Sequence, residues 1–471
     1  MEITLKGHNF QDAVRQVIQL FFDLNSEVRV YSGMTQDEEI HFSALVEIDG
    51  KKAAATESRA ATETVREIQN TLKKSVFSAC RKLSDMPAPW GISTGIRPAK
   101  TAREMLDLGF TDEKIIKYMQ EEFWMSPQKA LLSNEVAKKE KTLLDNRLKN
   151  GVSLYVGIPF CPTRCAYCSF ISQATRHNEK FIVPYTHALV KEIEHTAKLA
   201  EKYGLQPETV YFGGGTPTVL SPESLDYIIK AVRNSFDMSS VREFTVEAGR
   251  PDTFSEKMLE VLCENKVNRI SINPQTMNQK TLDLIGRKHT VEETIRAFEM
   301  AKKYNAFSIN ADIIAGLPEE SEEDFIKTVE NIIPLKPDAI TVHTMYLKRA
   351  ARLIGDFEKY RFATSAAGMV EYSYNKLKNE GFLPYYMYKQ KNTLGNLENV
   401  GYSKIGHECL YNIYIMEEVH TVLAMGGGAS TKTVSGSRIE RCFNPKEASD
   451  YINRIDEILD KKANALKELE V

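Results

Sequence analysis

Apolar and polar residues alternate over Met1 to Lys6 and over Glu39 to Ile48, the two-residue period of a half-buried strand. Over Phe10 to Leu24 and Thr62 to Leu83 they recur at helical spacing, so the chain opens as an α+β unit. From Pro98 to Leu148 the pattern is mostly helical, with Asp112 as an N-cap and the polar run Asp145 to Gly151 as a linker. At Val152 the texture changes. Short β-rich apolar segments at Leu154 to Ile158, Thr209 to Phe212, Glu243 to Glu247, Arg269 to Ile272, Ser308 to Ile314 and Ala339 to His343 predict strands. Amphipathic stretches separate them at Phe181 to Tyr203, Pro222 to Ser235, Phe254 to Asn265, Val291 to Tyr304 and Glu320 to Ile333. Strands alternating with helices in this way predict a parallel βα array, short of the eight strands that close a barrel. The expected fold class is α/β: an incomplete parallel (β/α)6 barrel over 151–346, an N-terminal α+β domain with a helical linker over 1–150, and a C-terminal appended domain over 347–471. The last part has a helix near Ala363 to Asn379, an aromatic segment at Tyr385 to Lys391 and a glycine cluster at Gly426 to Gly428.

Charge narrows the function. The 471 residues carry 61 basic and 64 acidic side chains with no long run of one sign, which argues against a nucleic-acid partner. The opening MEITLKGHNF lacks the basic-then-apolar pattern of a targeting segment, and no apolar run reaches membrane-spanning length. A cytoplasmic chain with no membrane partner is expected. Seven cysteines at this length fit a reducing compartment, and three of them, Cys161, Cys165 and Cys168, fall within eight positions.

At this cysteine frequency a C-x3-C-x2-C arises by chance roughly 0.0015 times per chain. Three thiolates can hold three irons of a cubane cluster, whereas an electron-transfer 4Fe-4S centre usually takes four cysteines. One iron is then open to a small molecule. Zinc completed by a side chain such as His177 is the alternative, disfavoured by the unequal spacing and the lack of a second cysteine pair. The triplet follows the first barrel strand, where a βα loop reaches the catalytic face.

The segment YVGIPFCPTRCAYCSF resembles the cluster loop of radical S-adenosylmethionine (SAM) enzymes, in particular the oxygen-independent coproporphyrinogen III oxidase (dehydrogenase) family. Gly157 and the upstream STGIRPAKTA are similar to its HemZ-like branch. The resemblance implies a radical SAM barrel, a 4Fe-4S cluster on Cys161, Cys165 and Cys168, and one SAM or two. GGGTPT at Gly213 to Thr218 matches the motif that meets the amino-acid end of SAM, through Gly214, Gly215 and Thr216. Tyr155, Tyr167, Glu247, Gln275, Arg287 and Asp312 match further SAM positions, some of them serving a second SAM in relatives, and Tyr346 and Ser430 fall where that second pocket continues. Relatives commonly carry His where this chain has Gly157, which removes a side chain near the cluster, and Ser169 and Phe170 stand where a fourth cysteine would follow.

The implied reaction is abstraction of hydrogen from the β-carbon of a propionate by a 5′-deoxyadenosyl radical, loss of CO2 and release of one electron, leaving a vinyl group. On two rings this converts coproporphyrinogen III to protoporphyrinogen IX. The implied partners are a tetrapyrrole substrate, a low-potential electron donor such as flavodoxin or ferredoxin, and a terminal electron acceptor. Aromatic and basic groups in YYMYKQK and ENVGYSKIG, together with Lys348, Arg349 and Arg352, are candidates for gripping its rings and propionates, with a strand of snorkelling lysines as the plainer alternative. His343 and His407 are candidates for the macrocycle or for ordinary structural pairing. A haem-binding chaperone, a haem-degrading methyltransferase and a tRNA-modifying enzyme remain as rival readings of the same motifs.

Overall fold

A computed structural model describes residues 1–22, 26–61, 64–168, 173–346, 366–390, 393–436 and 438–470, apart from the side chains of residues 468 and 470. The chain forms two compact units. One holds Met1–Lys138 and Met387–Glu398; the other runs from Lys139 through the barrel and takes in Gly368–Tyr386 and Asn399–Val471.

In the first unit β1 (Glu2–Lys6), β2 (Arg29–Gln36), β3 (Glu39–Ile48) and β4 (Lys51–Ala60) lie in sequence order, with β1 and β2 parallel and the other pairs antiparallel. Alternate residues of β3, namely Ile40, Phe42, Ala44 and Val46, are buried. Helix Gln11–Phe21 buries Val14, Val17, Ile18 and Phe21, and helix Val65–Arg81 buries Leu72, Val76, Phe77 and Cys80. A reciprocal capping box between Thr64 and Glu67 fixes the start of the second helix. Strands β2 and β4 escaped the pattern. The alanine-rich β4 has poor strand propensity and is held by its ladder to β3 across Asp49 and Gly50, whose φ of 51° and 76° make the two-residue turn that matches strand twist.

Asp112 does not cap its helix. Thr111 takes the extended cap conformation and Asp112 is the first residue of helix Asp112–Phe123, where a carboxylate meets the positive helix end.

The second unit is built on β5 (Gly151–Ile158), β6 (Phe160–Cys161), β7 (Gln173–Ala174), β8 (Gln206–Gly214), β9 (Glu243–Glu247), β10 (Arg269–Ser271), β11 (Ser308–Ala315) and β12 (Ala339–Thr344). Strands β5, β8, β9, β10, β11 and β12 run parallel in that spatial order, as the alternating pattern predicts. Helices Thr175–Lys202, Pro222–Ser235, Glu256–Glu264, Val291–Lys303 and Glu322–Ile332 fall between them. Ser221, Ser255, Thr290 and Ser321 start four of these by accepting a hydrogen bond from a first-turn N–H.

The C-terminal stretch flanks this array on both sides. On one side are β13 (Leu383–Lys389) and β14 (Glu398–Ser403), the latter antiparallel to β12; helix Ala366–Asn379 precedes them, and residues 363–365 lie outside the described residues. On the other side β15 (Thr421–Met425) runs parallel to β5 and is followed by the antiparallel β16 (Ser430–Ser435) and β17 (Arg438–Phe443). Among the described residues the sheet ends at β13 and β17 and is open. Among the described residues no helix is long and apolar enough to cross a membrane.

Candidate cofactor-binding site

Strand β5 leads directly into the cysteines. Cys161 lies on β6, and Cys165 and Cys168 follow on a turn in which the Cys168 N–H donates to the Cys165 carbonyl at 3.2 Å. All three thiols are half-buried and form no disulfide. The glycine turn after β8 is strapped alongside: the Gly215 N–H donates to the Ile158 carbonyl at 2.7 Å, and the Thr216 N–H to the Phe160 carbonyl at 2.8 Å. This approach needs glycine, because a Cβ at Gly215 would stand 2.3 Å from the Phe160 carbonyl oxygen. Thr216 is thereby brought to Cys161, its hydroxyl 3.5 Å from the sulfur.

The strand ends supply the polar groups. Tyr155 and Tyr211 are register partners on β5 and β8, with rings stacked at 6.3 Å, and Tyr211 also stacks on Tyr411 at 4.3 Å. The Tyr211 hydroxyl donates to the Glu247 carboxylate at the end of β9. Burial pushes the Glu247 carboxyl up to about 7, with the nearby Asp312 charge adding to the rise and the Tyr211 hydrogen bond opposing it. Burial works to raise Asp312 as well, but His343, Asn310 and Thr341 together hold it below its ordinary value. The Asn310 amide donates to Asp312 at 2.7 Å, and His343 Nε2 lies 3.7 Å from it.

Gln275 is buried with φ of 70°, a left-handed conformation that costs a non-glycine residue energy and is held by two backbone bonds, its N–H to the Asp312 carbonyl and its carbonyl from the Ile314 N–H, both at 2.9 Å. Arg287 is buried beside Tyr167 and Cys165, and its guanidinium donates to the Asn273 carbonyl and, at 3.5 Å, to that of Gly249. Burial pushes the Tyr167 hydroxyl up, against the pull of Arg287. Contacts thus run from Cys161 to Thr216, from the Gly214 backbone to Glu247 and on to Asp312 and Gln275, and from Arg287 to Tyr167 and Cys165. Ser271 Oγ and Asn273 Oδ1 are buried and have no hydrogen-bond partner.

Gly157 faces the glycine cluster. A Cβ on Gly426, whose φ is 101°, would stand 2.3 Å from the Gly157 carbonyl oxygen, and a side chain at 157 would crowd the Tyr155 ring at 3.3 Å. The Tyr185 hydroxyl donates to the Gly157 carbonyl at 2.6 Å and accepts from the Gly427 N–H at 2.7 Å. Behind it the fully buried Glu192 accepts from the Gly426 N–H at 2.7 Å, the Tyr451 hydroxyl at 2.5 Å and the Lys462 ammonium at 2.5 Å.

Other candidates fall elsewhere. His177 is exposed and accepts from Arg176 at 2.9 Å. His407 pairs with Ser308 at 3.0 Å at the opposite, N-terminal end of β11. Tyr346 is half-buried just past β12, and the Ser430 hydroxyl is buried without a partner at the start of β16. In the segment Tyr385 to Lys391, Tyr385, Tyr386, Met387 and Lys389 are buried. Lys389 donates to the Ser93 carbonyl at 2.9 Å over the Trp90 ring, and burial brings it down to about 7. Glu398 is likewise engaged, by Trp90 at 2.7 Å and Lys129 at 2.5 Å. Lys348, Arg349, Arg352, Ser169, Phe170 and Lys391 lie outside the described residues. The sequence reading missed Tyr211 and Tyr411. Tyr211 was within reach, since it sits two residues before the glycine turn on the face that Tyr155 shares.

Residues 155–332 match the family model of the Radical SAM superfamily. The chain is 37% identical over 414 residues to the oxygen-independent coproporphyrinogen-III oxidase-like protein HemZ of Bacillus subtilis, covering 86% of this chain and 83% of that one. It is 29% identical over 226 residues to anaerobic coproporphyrinogen III oxidase 1 of Cereibacter sphaeroides, covering 46% of this chain and 49% of that one. To the heme chaperone HemW of Lactococcus lactis it is 34% identical over 196 residues, covering 42% and 49%. The chain thus spans about half the length of these last two relatives. In fold it is similar to the coproporphyrinogen III oxidase HemN from Escherichia coli, with a TM-score of 0.51 at 24% identity over 67% of this chain and 72% of that one.

Proposed function

Because the chain belongs to the HemZ-like coproporphyrinogen-III oxidase-like family of the radical SAM superfamily, we propose that it oxidatively decarboxylates propionate side chains of coproporphyrinogen III to vinyl groups, giving protoporphyrinogen IX. A 4Fe-4S cluster and S-adenosylmethionine come with this family. The residues present suit them. Three thiols on one loop lie beside the glycine turn, and unpartnered buried oxygens on Ser271 and Asn273 face the constellation around Glu247.

When bound, the pair supplies a carbon-centred radical able to take hydrogen from an unactivated carbon. The chain's own residues hold and shield. Cys161, Cys165 and Cys168 would hold the cluster. Gly214, Gly215 and Thr216 present backbone and hydroxyl groups to the amino-acid end of SAM, while Glu247, Gln275 and Asp312 offer hydrogen bonds to its ribose and amino groups. The stacked Tyr155, Tyr211 and Tyr411 wall the barrel interior with aromatic surface that keeps water out. For each propionate one hydrogen atom is taken from the β-carbon, the C–COO bond breaks to release CO2, and one electron leaves to an acceptor as the vinyl bond forms. A low-potential donor such as flavodoxin or ferredoxin and a terminal acceptor complete the balance.

The observation that carries this reading is the cysteine loop joined to the glycine turn through Cys161 and Thr216, in a chain alignable with HemZ over most of its length. Anaerobic incubation with coproporphyrinogen III, SAM and a reductant, followed by mass analysis, should show loss of two CO2; an unchanged mass under conditions that cleave SAM overturns it. The similarity to HemW favours haem carriage as the second reading, and haem retained on gel filtration with no decarboxylation would select it. Ring opening of haem with methyl transfer would select the degradative enzyme.

A further inference from the structure

The loop between the first two cysteines is held by an arginine that no sequence motif singles out. Arg250 lies three residues past the end of β9 and is 2% exposed. Its guanidinium takes both oxygens of Asp252, Nε to Oδ1 at 2.9 Å and Nη2 to Oδ2 at 2.7 Å. Nη1 remains for Thr163, reaching the hydroxyl at 2.8 Å and the carbonyl at 3.4 Å. Bidentate pairing fixes the plane of a guanidinium, so Asp252 aims the third nitrogen. Because Asp252 also neutralises the charge, what Arg250 gives the loop is geometry.

The surrounding turn is braced to the glycine motif. The Thr253 hydroxyl donates to the Arg250 carbonyl at 2.8 Å and lies 2.6 Å from that of Thr218, which reaches the Ala248 carbonyl at 3.2 Å. Thr218 stands two residues past Thr216, the neighbour of Cys161. On the other side the Thr163 hydroxyl donates to the Gly286 carbonyl at 3.4 Å and the Ala166 N–H to the Ile285 carbonyl at 2.9 Å.

We infer that Arg250 is a positioning residue for the iron–sulfur cluster: through Thr163 it fixes the spacing of Cys161 and Cys165, and through the threonine brace it ties that spacing to the strand end bearing Glu247. The inference rests on the cluster and is independent of the tetrapyrrole.

Anaerobically reconstituted full-length protein tests it by the rate of iron release to a ferrous chelator and by the electron paramagnetic resonance of the reduced cluster with and without SAM. Thr163→Val removes both hydrogen bonds of the hydroxyl, from Arg250 and to the Gly286 carbonyl, on a partly exposed loop, and the pair Arg250→Met with Asp252→Asn removes the clamp without leaving an unpaired carboxylate. Both should release iron roughly tenfold faster and show a weaker SAM-induced spectral change, with the apo-protein melting temperature of Thr163→Val unchanged. Arg250→Lys should fall between, since an ammonium keeps the charge and loses the fork. Wild-type release and wild-type spectra in Thr163→Val and the paired variant overturn the inference; if the paired variant does not fold, Thr163→Val alone decides. Iron release needs no tetrapyrrole, so failure here is separate from failure of the decarboxylation reading.

Discussion

Two buried carboxyls at opposite ends of the barrel, Glu208 and Glu247, are held in opposite ways. At the N-terminal ends of the strands Glu208 is fully buried and saturated: it accepts from the Leu148 N–H at 2.9 Å, Arg242 at 2.8 Å and the Tyr414 hydroxyl at 2.9 Å, with His420 at 3.3 Å. Burial works to raise this carboxyl, yet His420 and the other partners bring it down to about 2. Glu243 nearby accepts from the Leu410 and Tyr411 N–H groups at 2.7 and 3.1 Å. At the C-terminal ends Glu247 is pushed the other way, and Ser271 and Asn273 have buried oxygens without partners. Saturated networks rigidify a fold, whereas unmet polar groups at the strand ends are what a ligand completes.

Removing a cluster ligand should give the largest effect. Cys161→Ala, Cys165→Ala or Cys168→Ala should abolish the visible absorption of the cluster and SAM cleavage while leaving the melting temperature of the apo-protein within a few degrees; retained SAM cleavage would sink the ligand assignment. Glu208→Ala strikes the other end. Stranding the His420 and Arg242 side should cost about 3–5 kcal/mol in denaturant unfolding, and unaltered SAM affinity in the surviving folded protein would sharpen the division. Since the folded value of Glu208 is near 2 and its unfolded value 4.5, the stability it lends is present above 4.5 and is lost as pH falls towards 2.

Glu247 has the opposite sign. Its carboxyl titrates near 7 in the folded protein against 4.5 unfolded, so its contribution is fully present below 4.5 and is lost as pH rises through 7. Glu247→Gln should flatten that pH profile of melting temperature and weaken SAM binding by about 1.5–3 kcal/mol, measured by calorimetry; an unchanged affinity would remove Glu247 from the site. The smallest effect belongs to Tyr211→Phe, about 1 kcal/mol of stability, with the Glu247 inflection moved to higher pH because a hydrogen bond that lowers it is gone. An inflection that stays in place would break the link between the two residues.

The barrel was legible because parallel strands buried on both faces read as short apolar runs, and serine and threonine caps mark the helices after them. β4 was not, since pairing with β3 overrides the weak propensity of Lys51 to Ala55; the Asp49–Gly50 pair was the signal available. Of the candidate site, the cysteines and glycines are legible because their chemistry leaves few alternatives. Gln275 carried no visible sign of its left-handed backbone, which the bonds to Asp312 and Ile314 impose. Arg250 and Tyr411 depend on contacts between distant segments that no local pattern encodes.

The brace behind Gly157 also sets a timetable. Glu192 reaches Lys462, so a carbonyl four positions ahead of Cys161 is secured by a residue synthesised about 300 positions later. At typical translation speeds of about 5–20 residues per second, the thiols wait roughly 15–60 s for the last of their supports.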